Sequence, residues 1–153
     1  MKVRGAAAGT AFLAAVLAVA AAAPARTTTV SVALVGIGGG TLGCGDRLVL
    51  RRLEIPRTTA PLGAALRLLV EHRVRPRAGE HDALAASTLT VRSVSLAGGT
   101  ATVYLSGRLV LGGVCDHPRV EAQLRATALQ FPSVRRAVFF LEGRPLAEHL
   151  SMR

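Results

Sequence analysis

The sequence predicts an α+β fold: a small mixed or antiparallel β-sheet of about five strands, with two amphipathic helices packed on one face. Three observations carry this. Short β-branched or alternating runs recur between Gly- and Pro-rich breaks. One window places apolar residues at i, i+3, i+4 and i+7, and a second carries a buried stripe at helical spacing. The elements follow the order β-β-α-β-β-α-β, which lets two helices cover one sheet.

The first 25 residues stand apart from that pattern. Lys2 and Arg4 precede an uncharged run, "AAAGTAFLAAVLAVAAAA", which ends in "APA" with Ala23 and Ala25 at the small positions. This predicts a secretory signal peptide cleaved after Ala25, with export from the cytoplasm. The rival reading is an uncleaved membrane anchor, for which the run is short and Ala-rich. The residue directly after the cleavage site is Arg26 rather than Cys, which argues against a lipid anchor. Residues 26–153 suit one domain with its own core.

"TTTVSVALVGI" (27–37) reads as a strand, "GGGTLGCGD" (38–46) as a Gly-rich loop, and "RLVLRRLEI" (47–55) as a second strand ended by Pro56. Residues 57–72 read as a helix, with Thr59 as its cap and Pro61 in its first turn. Leu62, Ala65, Leu66, Leu69 and Val70 form its buried stripe, with Arg67 and Glu71 opposite. Residues 73–88 lack a period and read as a surface loop with one short turn near Ala83–Ala86. "LTVRSVSL" and "TATVYLSG" flank "AGG", where Gly98 and Gly99 supply the positive φ of a tight hairpin. In the second arm Ala101, Val103 and Leu105 point one way; Thr102, Tyr104 and Ser106 point the other.

The second helix is expected to start at Pro118, capped by Asp116 or His117. Its buried stripe is Val120, Leu124, Thr127, Ala128 and Phe131. Its wet stripe is Arg119, Glu121 and Arg125, and Pro132 stops it. "VRRAVFFLEG" (134–143) reads as the last strand. Trp is absent and aromatic residues make up 3% of the chain, so the core is expected to be aliphatic.

The formal charge is +10, from 19 basic and 9 acidic residues. All basic residues except Lys2 are Arg, and they are scattered without interleaved aromatics to stack on bases. That argues against nucleic-acid binding and leaves, at most, peripheral contact with an anionic wall or membrane surface.

Three segments in this order resemble one known family. "TTAPLGAALRLLV" resembles the helix after the early strands of GerMN domains, the module of the sporulation and spore-germination protein GerM. "LTVRSVSLAGGTATVYLSGRL" resembles that family's hairpin. "EAQLRATALQFPSVRRAVFFLEGRPL" resembles its closing helix and strand. The resemblance spans residues 28–146. It implies an extracytoplasmic α/β module similar in fold to ring-building motifs, non-enzymatic, and used in envelope assemblies. The chain departs from the family in carrying one copy rather than a tandem pair. The cysteine segments "GCGD" and "GGVCDHP" look like a secreted subgroup.

Cys44 and Cys115 are the two cysteines. In an oxidising compartment they favour one disulfide between the loop after the first strand and the loop before the second helix. Two rivals stand beside it. A metal site would use Cys44, Cys115, His117 and Asp46 or His81, without paired cysteine spacing. A thiol nucleophile would use Cys115 with His117 as base, and needs Cys44 to leave it free. Asp46, Glu54, Glu71, Glu80, Asp82, Glu121, Glu142 and Glu148 show no spacing for paired-carboxylate catalysis. No Ser lies in a G-x-S-x-G elbow. "GIGGGTLGCG" lacks the G-K-[ST] ending and precedes a strand, so no nucleotide cofactor is expected.

The sequence thus predicts no catalytic, metal or cofactor residues. It predicts a module that contacts an envelope protein or cell-wall component, with Thr102 and Tyr104 on the contact surface. The alternative is an envelope enzyme such as a cell-wall hydrolase.

Overall fold

A computed structural model describes residues 26–151. The segment read as a signal peptide, with its cleavage site, lies outside the described residues.

β1 (Thr27–Gly36) and β2 (Arg47–Pro56) form an antiparallel hairpin in unbroken register, from Thr27 opposite Pro56 to Gly36 opposite Arg47. α1 (Pro61–Val70) follows and buries Leu62, Gly63, Ala65, Leu66, Leu69 and Val70, the expected stripe. It is shorter than expected at both ends. Pro61 opens it, but Thr59 does not cap it. Ala60 holds the cap position without a side-chain bond, and its N–H goes to the Thr58 hydroxyl at 3.0 Å. At the other end His72, at φ +54, turns the chain: His72 and Arg73 N–H groups bond the Leu69 and Leu68 carbonyls. That is a Schellman ending with His where Gly is usual.

The segment read as loop contains β3 (Glu80–His81), which pairs with β1 at Val35 and Gly36, and then the expected turn. β4 (Thr88–Ala97) and β5 (Thr100–Arg108) form the predicted hairpin, turned at Gly98 and Gly99 with φ of +55 and +78. A bulge at Arg92 shifts the register between Val91 and Ser93. α2 (Asp116–Leu129) then crosses over to β6 (Arg136–Leu141), which lies parallel to β5; a parallel neighbour needs such a long connection. Two short elements were not expected: β7 (Arg144–Pro145), antiparallel to β6, and α3 (Leu146–Leu150).

The fold is α+β, and all five expected strands are present. They do not lie in one sheet. One sheet runs β2-β1-β3 and the other β4-β5-β6-β7. α1 packs on β1 and β4, and α2 on β1 and β6, so the helix pair joins the two sheets. The core is aliphatic as expected. Val32, Leu34, Leu66, Leu69, Leu84, Val103, Leu124 and Leu141 are its centre, and Phe139 is its one buried aromatic among the described residues.

The sheets separate because the second edge of β1 is already occupied. The Ser31 N–H and C=O bond the Gln130 amide at 2.5 and 2.6 Å. The Ala33 N–H donates to Thr127 Oγ1 at 3.0 Å, and the Ala33 carbonyl accepts from Gln123 Nε2 at 3.0 Å. α2 stands where another strand would stand, and its side chains complete the ladder. An edge strand is covered, as stable sheets require.

Candidate functional site

Two regions concentrate chemistry-bearing side chains. The first is a clasp between the loops on either side of the Cys pair. Cys44 and Cys115 are joined by a disulfide, with Cα atoms 5.7 Å apart, inside the range a disulfide allows. Cys44 sits at φ +64 within a tight turn, Gly43–Gly45. A Cβ at Gly43 would collide with the Pro118 ring, so only glycine lets this turn lie against α2.

Arg119 runs parallel to the disulfide. Its Nε donates to Asp46 at 2.7 Å and its Nη1 to Asp116 at 3.1 Å. Each acid follows a clasp cysteine by one or two residues. Asp46 also takes the Gly38 N–H at 2.9 Å, and Asp116 the Gly112 N–H at 2.7 Å and His81 Nε2 at 3.4 Å. Three expectations are corrected here. Arg119 is not on the wet face: its side chain is 15% exposed. Asp116 does not cap α2; it is the first helical residue, and its carboxylate secures the preceding loop instead. Pro118 is the third helical residue rather than the first.

The rival uses of these residues find no shared centre. His117 Nδ1 bonds the Leu150 carbonyl at the far side of α2, away from the cysteines. His81 faces Asp116, and Asp46 faces Arg119. Among the described residues, no three His, Cys, Asp or Glu side chains group as a metal site. Cys115 is bonded to Cys44 and is not a thiol. Every carboxylate has a partner. Glu80 holds Arg51 and the Arg77 N–H. Asp82 holds His72 and the Leu84 N–H. Glu54, Glu71, Glu121, Glu142 and Glu148 bond Thr27, Arg73, Arg125, the Gly107 N–H and Arg144.

These contacts set the acids. The Gly38 N–H first, and Arg119 next, hold Asp46 below the usual carboxylate range. For Glu80 the Arg77 N–H leads; burial opposes it, and Arg51 adds to the lowering. Burial pushes Asp116 up, but the Gly112 N–H, Arg119 and His81 together outweigh it. Burial likewise works against the charge of Arg119, and Asp46 and Asp116 more than offset it. A carboxyl whose folded pKa is lowered stabilises above its unfolded value and loses that stabilisation as pH falls through the folded one. The melting temperature should hold from neutral pH to about 5, then fall steeply below about 4. Thermal melts between pH 7 and 2 measure this. Asp116→Asn should flatten the acid limb, and a melting temperature that rises on acidification through pH 4 would contradict the assignment.

The second region is the outer face of the β4-β5-β6 sheet. Ala101, Val103, Leu105, Ala137, Phe139 and Leu141 point into the core. Thr102, Tyr104, Ser106, Val138 and Phe140 alternate with them and point out. Thr102 and Tyr104 fall on one face, as the alternation predicts. Tyr104 lies opposite Ser93 on one side and Phe140 on the other. The Tyr104 and Phe140 rings stack with centroids 5.0 Å apart and planes 17° from parallel. Tyr104 remains 43% exposed. Phe140 was not singled out in the sequence, although period-2 alternation through "RAVFFL" places it outward. No helix in the described residues is long and apolar enough to cross a membrane.

Comparison with known proteins agrees with this architecture. No curated protein matches the sequence. The first GerMN domain of the sporulation protein GerM from Bacillus subtilis has a similar structure: TM-score 0.57 and 20% identity, covering 78% of this chain and 86% of that one. The tandem GerMN domains of the same protein match at TM-score 0.57 and 20% identity, over 78% of this chain and 41% of that one. At this identity the likeness speaks for the fold. Residues 45–147 match the sequence profile of a family described as Germane: sporulation and spore germination. That match covers most of the chain, from the clasp turn into the first turn of α3, and the chain belongs to the Germane family.

Proposed function

We propose that this chain is an exported, non-catalytic contact module of the cell envelope, with its mature form beginning at Arg26. It binds an envelope protein or a cell-wall component through the outer face of the β4-β5-β6 sheet and takes no cofactor. The observation that carries this reading is the stacked Tyr104–Phe140 pair, set on a sheet face that neither α1 nor α2 covers. A stacked aromatic pair half-open to solvent offers a preorganised apolar anchor with a hydroxyl at its end. Thr102 and Ser106 flank Tyr104 with further hydroxyls. The engagement of every carboxylate supports the non-catalytic side of the reading.

The test compares wild type and Tyr104→Ala for retention by isolated wall material and by envelope extracts, with circular dichroism to confirm folding. The substitution should weaken retention about tenfold or more, as loss of an interface anchor does. Retention unchanged by Tyr104→Ala counts against the surface. Hydrolysis of wall polymer that disappears on changing one carboxylate would overturn the non-catalytic reading.

A further inference from the structure

β2 is an edge strand along its whole length, pairing only with β1. In an antiparallel ladder, opposed residues either bond one another or both turn their N–H and C=O outward. Ser31 and Ala33 turn theirs to α2, away from β2. Their partners Arg52 and Leu50 thus direct backbone groups away from β1. By the two-residue period, so do Leu48 and Glu54. Among the described residues no backbone group bonds to this edge. Proteins usually blunt such edges with shortness, bulges, central prolines or charged side chains, and of these β2 carries only the charges, on Arg47, Arg51, Arg52 and Glu54. β2 has ten residues in unbroken register, with Pro56 only at its end.

The side chains beside this edge are apolar where a partner strand would begin. Leu48 and Leu50 are 39% and 56% exposed on one face of β2. Leu48 opens into a groove of about 420 Å³ against α2, walled by Leu42, Pro118, Ala122, Ala126 and Leu129 and by the Glu121–Arg125 ion pair. The charge around it is positive. Glu80 neutralises Arg51, while Arg52 has no acidic partner among the described residues and Arg47 donates to the Gly38 carbonyl. The one acid on the strand, Glu54, accepts from the Thr27 hydroxyl and keeps its negative charge, at the opposite end of the edge from Leu48.

We infer that the β2 edge and this groove form a docking site for an extended acidic segment of a partner protein. The segment adds antiparallel or parallel to β2 as a further strand. On the face of Leu48 and Leu50 its side chains are apolar beside those two residues and acidic beside Arg52; on the opposite face an acidic side chain meets Arg47. Main-chain bonds supply affinity in such strand addition, and the alternating side chains supply selectivity. A second copy of this chain fits less well. Two-fold antiparallel pairing of β2 with itself centred on Leu53 matches Arg52 with Glu54 of the other copy, but it sets Pro56, which has no N–H, opposite Leu50 and leaves Leu48 and the groove uncovered. Centring on Arg52, nearer the groove, sets that unpaired arginine against itself, and like charges so placed destabilise a ladder.

The test titrates into the intact chain a labelled synthetic ten-residue peptide with Leu or Val at the positions that face Leu48 and Leu50, and Asp or Glu at the next position of that face and along the other face. Fluorescence anisotropy follows binding, and amide hydrogen exchange locates it. Binding is expected to weaken with added salt and to slow exchange at Leu48, Leu50, Arg52 and Glu54. Leu50→Pro, which deletes one outward N–H, should weaken it at least tenfold. Arg52→Glu, a surface change that leaves folding alone, should do likewise. Tyr104→Ala should not, because that side chain lies on the other sheet; failure of this site and failure of the Tyr104 surface are thereby read separately. Four results overturn the proposal: no binding up to millimolar peptide, equal binding of an isomeric peptide with its apolar and acidic residues in separate blocks, equal binding of a Lys-for-acid version, or a dimer by sedimentation whose residues 48–54 are already protected without peptide.

Discussion

Cys115→Ser should lower the melting temperature by roughly 12–20 °C and leave the fold recognisable. The bond joins residues 71 apart, and closing a loop of that length removes about 4 kcal/mol of unfolded-state freedom in the chain-entropy account. The fold should persist because the bond does not hold the core. β1, β5, α1 and α2 pack through aliphatic contacts that include neither sulfur. Arg119 spans the same two loops through Asp46 and Asp116, so the loops keep a noncovalent link when the covalent one is gone. Thermal circular dichroism measures the shift. Thiol alkylation followed by mass measurement on protein recovered outside the cytoplasm tests the premise. It should find no free thiol, whereas two alkylatable thiols or stoichiometric zinc would sink it. A Cys115→Ser protein melting within a few degrees of wild type would assign the loops' hold to Arg119 instead.

What could be read in the sequence were features whose period is local. β-Branched runs between Gly- and Pro-rich breaks marked β1, β2, β4, β5 and β6, alternation sorted the faces of β5, and Gly98-Gly99 marked the hairpin turn. The i, i+3, i+4 stripe of α1 came through because every inward residue there is apolar or glycine. The missed elements are too short to carry a period: β3 and β7 have two residues each, and α3 has five. The split into two sheets was hidden for a different reason. It depends on Gln123, Thr127 and Gln130 reaching Ser31 and Ala33, which lie more than 90 residues away for all but one of these bonds. Polar residues on a helix read as solvent-facing unless the strand edge they satisfy is known. The same blindness put Arg119 on the wet stripe: its Glu121 and Arg125 neighbours do pair in solvent, while Arg119 itself is drawn in by Asp46 from a distant loop together with Asp116 one turn back on its own helix. Thr102 and Tyr104 were legible because alternation alone sorts the two faces of β5. The cysteine pair was legible from the count of two together with the compartment the sequence predicts. The clasp around it was not, since nothing local links Asp46 to Arg119.

Gln123→Leu should destabilise the protein by about 3 kcal/mol, despite replacing a polar side chain with an apolar one of similar size at a fully buried site. Gln123 is a four-way junction. Its Nε2 donates to the Ala33 carbonyl at 3.0 Å and to Asp82 Oδ1 at 3.2 Å, and its Oε1 accepts the Ala83 N–H at 2.9 Å. Through Asp82 it reaches His72, whose two ring nitrogens face the Asp82 carboxylate at 3.1 Å and the Ser87 carbonyl at 3.0 Å. One side chain so ties β1, the turn after β3 and the end of α1 to the middle of α2. Leucine would leave the Ala33 carbonyl and the Ala83 N–H buried without partners, each costing about 1–3 kcal/mol, and the added apolar burial offsets only part of that. Asp82 would keep His72 and the Leu84 N–H, so its carboxylate would not be stranded. Gln130→Leu offers the comparison. It caps the same strand edge at Ser31, but it is only half-buried, so water can replace the lost amide and the cost should be about 1 kcal/mol or less. Chemical denaturation ranks the two. Amide exchange at Ala83 should quicken in Gln123→Leu alone, and exchange at Ser31 in Gln130→Leu alone. A Gln123→Leu protein as stable as wild type would mean that α2 holds β1 by apolar packing, and that its polar stripe along the strand edge is dispensable.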